Sequence, residues 1–258
     1  PDRKKHLSMP HFSSEYIKLR EDLRAMGLCP GGVVLVHSSM KALGTSLTPD
    51  QVIDCLQETV GEEGTLLVPA LSYRDVTPEN PVFDVRETPS CIGALPECFR
   101  KQYAQYRSLH PTHSVCARGK LAYALTAWHQ QDQTPVGEHS PFRQLPLLGG
   151  KILMLGCGLK PNTFMHGVEE AARASYPLAK ERVTYRLTNK EGETVEKAYY
   201  PHSFGKLKQR YDRLLYLLSF PDLAKGDVLN GDAWLLDAEA VMKTAAAKIR
   251  EEEYYFVD

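Results

Sequence analysis

The chain contains no apolar run close to the roughly 20 residues that a membrane-spanning helix needs. It also lacks an excess of charge of either sign, because 31 Lys and Arg residues stand against 32 Asp and Glu residues. This balance argues against nucleic acid or an anionic membrane as a partner. Residues 1–9 are polar and basic without an apolar core. We therefore expect a disordered or cloning-derived start there, and no signal peptide.

Paired cysteines and the common nucleotide-binding signatures are missing as well. The six cysteines are spread along the chain without a C-x-x-C pair, which is typical of reduced thiols in a cytoplasmic protein. The sequence G-x-x-x-x-G-K-[ST] is absent, and Gly156-x-Gly158 lacks the later glycine of a dinucleotide-binding loop. The chain has no G-x-S-x-G either, which argues against the nucleophilic serine of an α/β-hydrolase.

Short apolar strands and helical segments alternate in the first part of the chain. Residues 33–36 and 65–70 are apolar runs that follow glycine-bearing turns, and residues 49–60 between them have a helical pattern. A strand, a helix and a strand in this order form a βαβ unit with parallel strands. Because we find no repeat and no linker, we predict one α/β domain over residues 1–258.

The last part of the chain has a different pattern. Residues 183–187 and 194–198 alternate between apolar and polar around the turn at residues 189–192, which predicts an antiparallel hairpin with one solvated face. Helices are predicted over residues 207–219 and 237–249.

Polar side chains follow each of the first two predicted strands. His37, Ser38 and Ser39 come directly after the first strand, and the loop after the second strand contains Tyr73 and Asp75. Open α/β sheets bind ligands at the carboxyl ends of their strands. We therefore expect a ligand site at this edge. Ser38 and Ser39 could alternatively serve only to cap a helix.

The segment 162–170 combines a histidine with two carboxylates. It follows an apolar strand, and Asn162 or Thr163 can cap the helix that begins there. His166 is three residues from Glu169 and four from Glu170, so either carboxylate can reach the imidazole from the same helix face. A histidine oriented by a carboxylate is typical of a general base. A surface ion pair near a helix start is the alternative.

Histidine spacing also leaves a metal site open. The chain contains His110-x-x-His113 and His166-x-x-Glu169. Pro111 argues against one continuous helix that presents both His110 and His113, although a loop site remains compatible with the spacing. A metal-dependent hydrolase that uses His110, His113 and His166 is therefore one alternative function.

Five motifs occur in one order, and through them the chain resembles the aminoglycoside 3-N-acetyltransferase family. They are His37-Ser38-Ser39 with Leu43-Gly44, Thr88-Pro89-Ser90-x-x-Gly93-Ala94-Leu95-Pro96, His110-Pro111-Thr112-His113-Ser114, Gly137-Glu138-x-Ser140-Pro141, and Asn162-Thr163-x-x-His166-x-x-Glu169. The match runs from about Leu23 to Glu170, with weaker similarity beyond.

The resemblance implies a fold and an activity. The fold would be a three-layer α/β/α sandwich with a mostly parallel central sheet plus an antiparallel hairpin, distinct from the GNAT fold. The activity would be acetyl-CoA-dependent N-acetylation of an aminoglycoside or a similar small polar amine, by direct transfer in a ternary complex. Such activity confers antibiotic resistance. We expect a cytoplasmic monomer or homodimer with no metal, nucleic acid or membrane partner.

Roles carried over by position fall into three sets. His166 would be the general base, Glu169 its orienter, and Thr112 a hydrogen-bond donor to the thioester oxygen or the leaving thiolate. The cofactor-binding set comprises His37, Ser38, Ser39, Leu43, Gly44, Thr88, Ser90, Gly93 and His110. The substrate-binding set comprises Tyr73, Asp75, Glu138, Asn162 and Glu170. His110 and His113 are interpreted mainly as hydrogen-bonded scaffolding.

The sequence departs from the family at the acceptor side. Members that modify aminoglycosides commonly carry a His-Leu-Ala-Glu-like sequence, whereas this chain has His166-Gly167-Val168-Glu169-Glu170. The base and its orienter are retained, but the departure leaves a non-antibiotic amine open as the acceptor. A protein that binds CoA without turnover is a further alternative.

Overall fold

Helices and strands alternate along most of the structure, a computed structural model that describes residues 13–258. The start predicted for residues 1–9 lies outside the described residues. The helices are α1 (Ser14–Ala25), α2 (Met40–Leu43), α3 (Pro49–Val60), α4 (Ala94–Cys98), α5 (Ala122–Thr126), α6 (Pro141–Gln144), α7 (Phe164–Ala172) and α8 (Ala238–Glu251). The strands are β1 (Val33–Ser38), β2 (Thr65–Pro69), β3 (Val82–Asp84), β4 (Tyr106–Arg107), β5 (Val115–Gly119), β6 (Lys151–Leu155), β7 (Val183–Thr188), β8 (Thr194–Tyr199), β9 (Leu223–Val228) and β10 (Gly231–Asp237). None of the helices in this range is both long and apolar enough to cross a membrane.

The main sheet has seven strands in the order β4-β5-β2-β1-β6-β10-β9. At its centre β1 pairs in parallel with both β2 and β6, as the βαβ pattern predicted. The outer pairs are antiparallel. Within residues 13–258, five of the seven strands therefore point one way, and β5 and β10 point the other. The predicted α/β fold with a mostly parallel central sheet is confirmed.

Helices cover both faces of the main sheet, because its central strands are apolar on both sides. Val34 and Val36 of β1 belong to a core cluster with residues of α1 and α3. Val33 and Leu35 point the other way, into a cluster with residues of α5, α7 and α8. Burial on both faces explains why β1 is a continuous apolar run instead of an alternating one.

A second sheet has the order β3-β7-β8. The pairing of β7 with β8 is antiparallel, from Val183 opposite Tyr199 to Thr188 opposite Thr194, so the predicted hairpin is confirmed. The parallel pairing of β3 with β7 was not predicted. A separate apolar cluster that contains Phe83 supports this sheet.

The helix predicted over residues 207–219 is wrong. Only a short 3₁₀ helix forms there, at Tyr211–Tyr216. Tyr211 and Leu214, three residues apart, are buried, whereas Tyr216 is 80% exposed. Burial of positions i and i+3 alone is typical of a 3₁₀ turn, in which those side chains stand above each other. The second prediction is confirmed by α8, whose first turn is capped by the side chain of Asp237.

The hairpin of β9 and β10 was not predicted. The sequence of β9 contains Gly226 and Asp227, which are residue types that strands disfavour. Gly226 leaves room for Met26 just beyond the end of α1, because a Cβ there would lie 2.2 Å from Sδ of Met26 and that side chain would have to move. The glycine in β9 therefore reflects close packing near the end of α1 and not a preference of the residue for strand structure.

Candidate active site

A cleft of about 620 Å³ opens at the carboxyl ends of the central parallel strands. It is bounded by the ends of β1 and β2, by the loop after β6 and by the start of α7. Ligands are expected at this edge of an open α/β sheet. The cleft is lined by Val36, His37, Ser38, Pro69, Leu71, Tyr73, Ile92, Pro96, His113, Cys157, Lys160, Pro161, Asn162, Thr163, His166, His202, Phe204, Gln209 and Tyr211.

His166 lies in the first turn of α7 and lines the cleft. Its Nδ1 lies 3.1 Å from Oε2 of Glu169 and 2.9 Å from the hydroxyl oxygen of Tyr211. In a neutral imidazole, a carboxylate at Nδ1 selects the tautomer that carries its proton on Nδ1. Nε2 then keeps a free lone pair, so His166 can accept a proton through Nε2.

Glu169 is completely buried, and three side chains hold it. The hydroxyl of Tyr176 donates to Oε1 at 3.0 Å, and the hydroxyl of Tyr211 donates to Oε2 at 3.0 Å. The third partner is His166. Burial, followed by the charge of Glu169, raises the pKa of Tyr211 well above its ordinary value, so Tyr211 is a neutral donor. These hydrogen bonds fix the orientation of the carboxylate beside Nδ1 of His166. Glu169 can therefore orient His166 and stabilise a positive charge on it.

Glu170 turns away from His166 into a different network. Its carboxylate accepts hydrogen bonds from the hydroxyl of Thr134 at 2.5 Å and from the backbone N–H of Val136 at 3.0 Å, and His202 Nε2 lies 2.9 Å from it. Burial raises the pKa of Glu170 to about 7. The helix spacing allowed either carboxylate to hold His166, and the structure pairs His166 with Glu169.

Gly167 explains the departure in sequence after the histidine. A Cβ at this position would lie 2.8 Å from Cγ1 of Val136 and 3.1 Å from Cδ of Arg143. Glycine therefore permits α7 to pack closely against the segment 136–143, which includes the backbone N–H that Glu170 accepts from. At Gly167 the departure is therefore a matter of packing between α7 and this segment.

Two further histidines stand beside His166. The hydroxyl of Thr112 lies 2.8 Å from Nδ1 of His113, and Nε2 of His113 lies 3.2 Å from Nδ1 of His202. Burial lowers the pKa of His113 and of His202 well below the ordinary value, so both rings are neutral. One ring nitrogen from each of His113, His166 and His202 lies within 4.8 Å of the other two. These three residues could hold a metal ion. His110 was predicted from spacing to share such a site with His113 and His166, but it does not belong to this group of three.

The loop after β1 contributes unequally to the cleft. His37 and Ser38 line the cleft, whereas Ser39, Leu43 and Gly44 do not. His37 Nε2 accepts the backbone N–H of Thr163 at 3.1 Å and so caps the start of α7. Burial, followed by the charge of His166, lowers the pKa of His37 to about 3. Ser39 caps α2, Leu43 is buried in the core, and Gly44 ends α2 with a φ of 56°.

The remaining residues of the predicted cofactor-binding set support loops near the cleft. The hydroxyl of Thr88 accepts the backbone N–H of Asp84, and Gly93 stands before α4. Ser90 donates its N–H to Glu97. Nδ1 of the buried His110 accepts the backbone N–H groups of Thr112 at 3.2 Å and His113 at 3.0 Å, which agrees with a scaffolding role.

The predicted substrate-binding set is split as well. Tyr73 and Asn162 line the cleft, whereas Asp75 and Glu138 are exposed outside it and Glu170 lies in the network described above. Asn162 is buried and its side chain does not cap α7. Neither atom of its amide group has a partner within residues 13–258.

Tyr176, His202 and Tyr211 were missed by sequence reasoning. Tyr211 is 45 positions from His166, and His202 is 32 positions from Glu170. His202 lies in irregular chain after the hairpin and Tyr211 in the short 3₁₀ helix, and no motif marks either of them. Spacing along one helix can pair His166 with Glu169, but it carries no information about side chains that arrive from a distant loop.

Comparison with known proteins adds evidence that is independent of this geometry. The family model described as aminoglycoside 3-N-acetyltransferase matches residues 35–250. The chain belongs to this family. The matched range contains every residue that lines the cleft. It also extends past the segment over which the resemblance was predicted, and it includes His202 and Tyr211.

Individual members of the aminoglycoside 3-N-acetyltransferase family are similar to the chain in sequence and structure. Aminoglycoside N(3)-acetyltransferase VII of Streptomyces paromomycinus is 36% identical over 61% of this chain and 60% of that protein. The chain thus spans about three fifths of the length of this relative. Two solved structures are also similar. AAC-IIIb in binary complex with CoASH has 28% identity and a TM-score of 0.78, over 92% of this chain and 96% of its own. AAC-VIa bound to sisomicin has 26% identity and a TM-score of 0.75, over 92% and 97%.

These members of the aminoglycoside 3-N-acetyltransferase family confirm the predicted fold class. The solved neighbours are aminoglycoside acetyltransferases that share the α/β architecture of this chain over nearly its whole length. The prediction of a non-GNAT fold is therefore correct. The relatives from Streptomyces paromomycinus and Serratia marcescens are named as acetyltransferases, which are acyltransferases.

Proposed function

We propose that the chain is an acetyl-CoA-dependent N-acetyltransferase that acetylates a small polar amine by direct transfer in a ternary complex. The observation that carries this proposal is the state of His166. Its Nδ1 is held by buried Glu169, and its Nε2 has no hydrogen-bond partner among residues 13–258. An amine is protonated at neutral pH and attacks a thioester only as the free base. A base at this place is therefore what the reaction requires.

Each residue around His166 then has a stated part. Acetyl-CoA, when bound, supplies the acetyl group as a thioester. His166 accepts the amine proton through Nε2, and Glu169 stabilises the imidazolium that results. Tyr176 and Tyr211 keep the carboxylate of Glu169 oriented. The donor role of Thr112 stays a prediction. Its hydroxyl bonds to Nδ1 of His113, so Thr112 positions a ring that lines the cleft.

The cleft also offers polar groups that fit the amide chain of the pantetheine arm. Within residues 13–258, the hydroxyl of Ser38 and both amide atoms of Asn162 are buried without a partner, and both residues line the cleft. A buried polar group without a partner costs about 1–3 kcal/mol. A ligand with amide N–H and C=O groups would remove this cost. The complex of the similar AAC-IIIb with CoASH supports the assignment.

The acceptor is an aminoglycoside or a similar amine. The charges of the side chains that line the cleft help to choose between these two classes. A polycationic aminoglycoside would be expected to meet carboxylates. The cleft is lined by Lys160 and four histidines but by no Asp or Glu among the described residues. This lining favours a second candidate acceptor, a small amine with a single positive charge. The sisomicin complex of the similar AAC-VIa supports the aminoglycoside.

Release of free CoA thiol from acetyl-CoA, measured across a panel of amines of increasing charge, tests the proposal. The panel runs from monoamines to aminoglycosides, and mass spectrometry of the product confirms N-acetylation. We expect turnover with at least one class. CoA binding without turnover of any amine would instead indicate a binding protein, and the highest kcat/KM on monoamines would select the second acceptor.

A further inference from the structure

Three histidines from three separate parts of the chain meet at one wall of the cleft. His113 lies in the turn before β5, His166 in the first turn of α7, and His202 in the segment after β8. One ring nitrogen from each lies within 4.8 Å of the other two. The base mechanism uses only His166, so it does not account for this convergence.

The second nitrogen of each ring is already held by another side chain. Nδ1 of His166 lies 3.1 Å from Glu169, and Nε2 of His202 lies 2.9 Å from Glu170. Nδ1 of His113 lies 2.8 Å from the hydroxyl of Thr112. Histidines that bind metals usually donate their other ring N–H in this way, often to a carboxylate. Two carboxylates and a hydroxyl therefore supply the outer shell that a metal site needs.

The nitrogens that remain are Nε2 of His166, Nε2 of His113 and Nδ1 of His202. The last two are 3.2 Å apart. In a tetrahedral site with metal–nitrogen distances of about 2.0–2.1 Å, ligand nitrogens are about 3.3 Å from each other. One pair of ligands therefore already has the required spacing. The nitrogen of His166 lies within 4.8 Å of the other two, so His166 has to come closer to them when a metal binds.

We propose that His113, His166 and His202 bind one Zn²⁺ or a similar divalent transition metal, with a fourth position open to the cleft. Three histidines with an open position form a known type of zinc site. Occupancy would take Nε2 of His166, which the proposed transfer reaction needs as a base. Metal binding therefore blocks acetyl transfer reversibly. This second statement depends on the proposed function, whereas the binding site itself does not.

The test titrates Co²⁺ into untagged, chelator-treated enzyme and follows the visible absorption of cobalt. We expect one equivalent to bind and Zn²⁺ to displace it. His202→Gln removes a ligand and should abolish the absorption band. Glu170→Gln touches only the outer shell and should weaken cobalt affinity by about 10–100-fold. His139→Gln is the control, because His139 pairs with Asp132 outside the three-histidine group and should leave the titration unchanged.

Activity measurements test metal binding and inhibition by the bound metal separately. Chelated wild-type enzyme should turn over. One equivalent of Zn²⁺ should reduce turnover at least 10-fold, and a chelator should restore it. The turnover that His202→Gln retains should be insensitive to that Zn²⁺.

Absence of stoichiometric Co²⁺ binding, or identical titrations for wild type, His202→Gln and Glu170→Gln, would overturn the site. Zn²⁺ bound at the site without loss of turnover would overturn the inhibition. A loss of turnover on chelation would also overturn it, together with the role of His166 as a free base. Cobalt binding with no acetyl transfer to any amine would leave the site standing and remove the proposed function.

Discussion

Glu169 and Glu170 are adjacent in α7, are both buried, and each holds a histidine, yet they belong to different networks. Glu169 accepts hydrogen bonds from two tyrosine hydroxyls and faces His166. Glu170 faces His202, and its other partners are Thr134 and the backbone of Val136. Successive helix residues point about 100° apart. Two side chains with the same chemistry therefore enter two environments.

The difference shows how environment decides the use of a carboxylate. Two tyrosines and a histidine surround Glu169 with hydrogen-bond donors, which hold its oxygens in place beside the base. Burial raises the pKa of Glu170 to about 7 in spite of its hydrogen bonds. We expect the first carboxylate to serve the reaction and the second to hold the loop 134–136 and His202 in place. Substitutions in each network test this division.

The largest effect is expected for His166→Ala. Loss of the base should reduce kcat by roughly 10²–10⁴-fold, the usual contribution of general base catalysis. CoA affinity, measured by calorimetry, should stay close to that of wild type, because the base acts on the amine. His139→Ala is the matched control, since His139 also pairs with a carboxylate but lies outside the cleft. Near-normal turnover in His166→Ala would contradict the assignment.

The next comparison is Glu169→Gln against Glu170→Gln. Glutamine keeps the shape of glutamate but removes the charge, so Glu169→Gln should lower kcat by roughly 10–10³-fold through loss of imidazolium stabilisation. Glu170→Gln in chelated enzyme should lower kcat by less than about 10-fold. Steady-state kinetics on both variants decides the matter. Equal losses would show that the two networks act as one, and the reverse order would exchange their roles.

The two tyrosine hydroxyls that bond to Glu169 can be compared with each other by Tyr→Phe substitutions. The hydroxyl of Tyr211 bonds to both Glu169 and His166, whereas the hydroxyl of Tyr176 bonds to Glu169 and not to His166. Each Tyr→Phe change removes one donor from a buried carboxylate and should cost about 1–3 kcal/mol of unfolding free energy, measured with urea. Tyr211→Phe should also lower kcat by about 3–30-fold. Tyr176→Phe should lower kcat less, so equal rate losses would mean that Tyr211 acts only through stability.

Local sequence predicted one contact of the Glu169 network, the pairing with His166, and no contact of the Glu170 network. The pairing of His166 with Glu169 follows from helix spacing, and the position of the cleft follows from two apolar strands that end in polar loops. His202 comes from a segment with no periodic signal, and a 3₁₀ turn places Tyr211 where a longer helix was predicted. The single-domain organisation and the roles in catalysis stay predictions. The positions of His202 and Tyr211 beside α7 depend on long-range packing, which spacing along the chain does not predict.

The smallest effect concerns a carboxylate that a cation stabilises. A side-chain hydrogen bond from Arg100 is the main cause that lowers the pKa of Glu97 from 4.5 to about 2. Glu97 also accepts the backbone N–H of Ser90, a predicted cofactor-binding residue. Between pH 4.5 and about 2 the unfolded chain binds this proton and the folded chain does not. The stabilisation is therefore present above pH 4.5 and is lost as the pH falls towards 2.

Glu97→Gln should therefore lower the melting temperature by about 2–4 °C at pH 6, the shift expected for about 1 kcal/mol in a protein of this size. The difference from wild type should shrink as the pH falls to 3. Glu63→Gln is the control, because Glu63 and Lys120 form an exposed pair, and such pairs contribute little. A difference for Glu97→Gln that stays constant from pH 6 to 3 would show that shape, and not charge, gives Glu97 its effect.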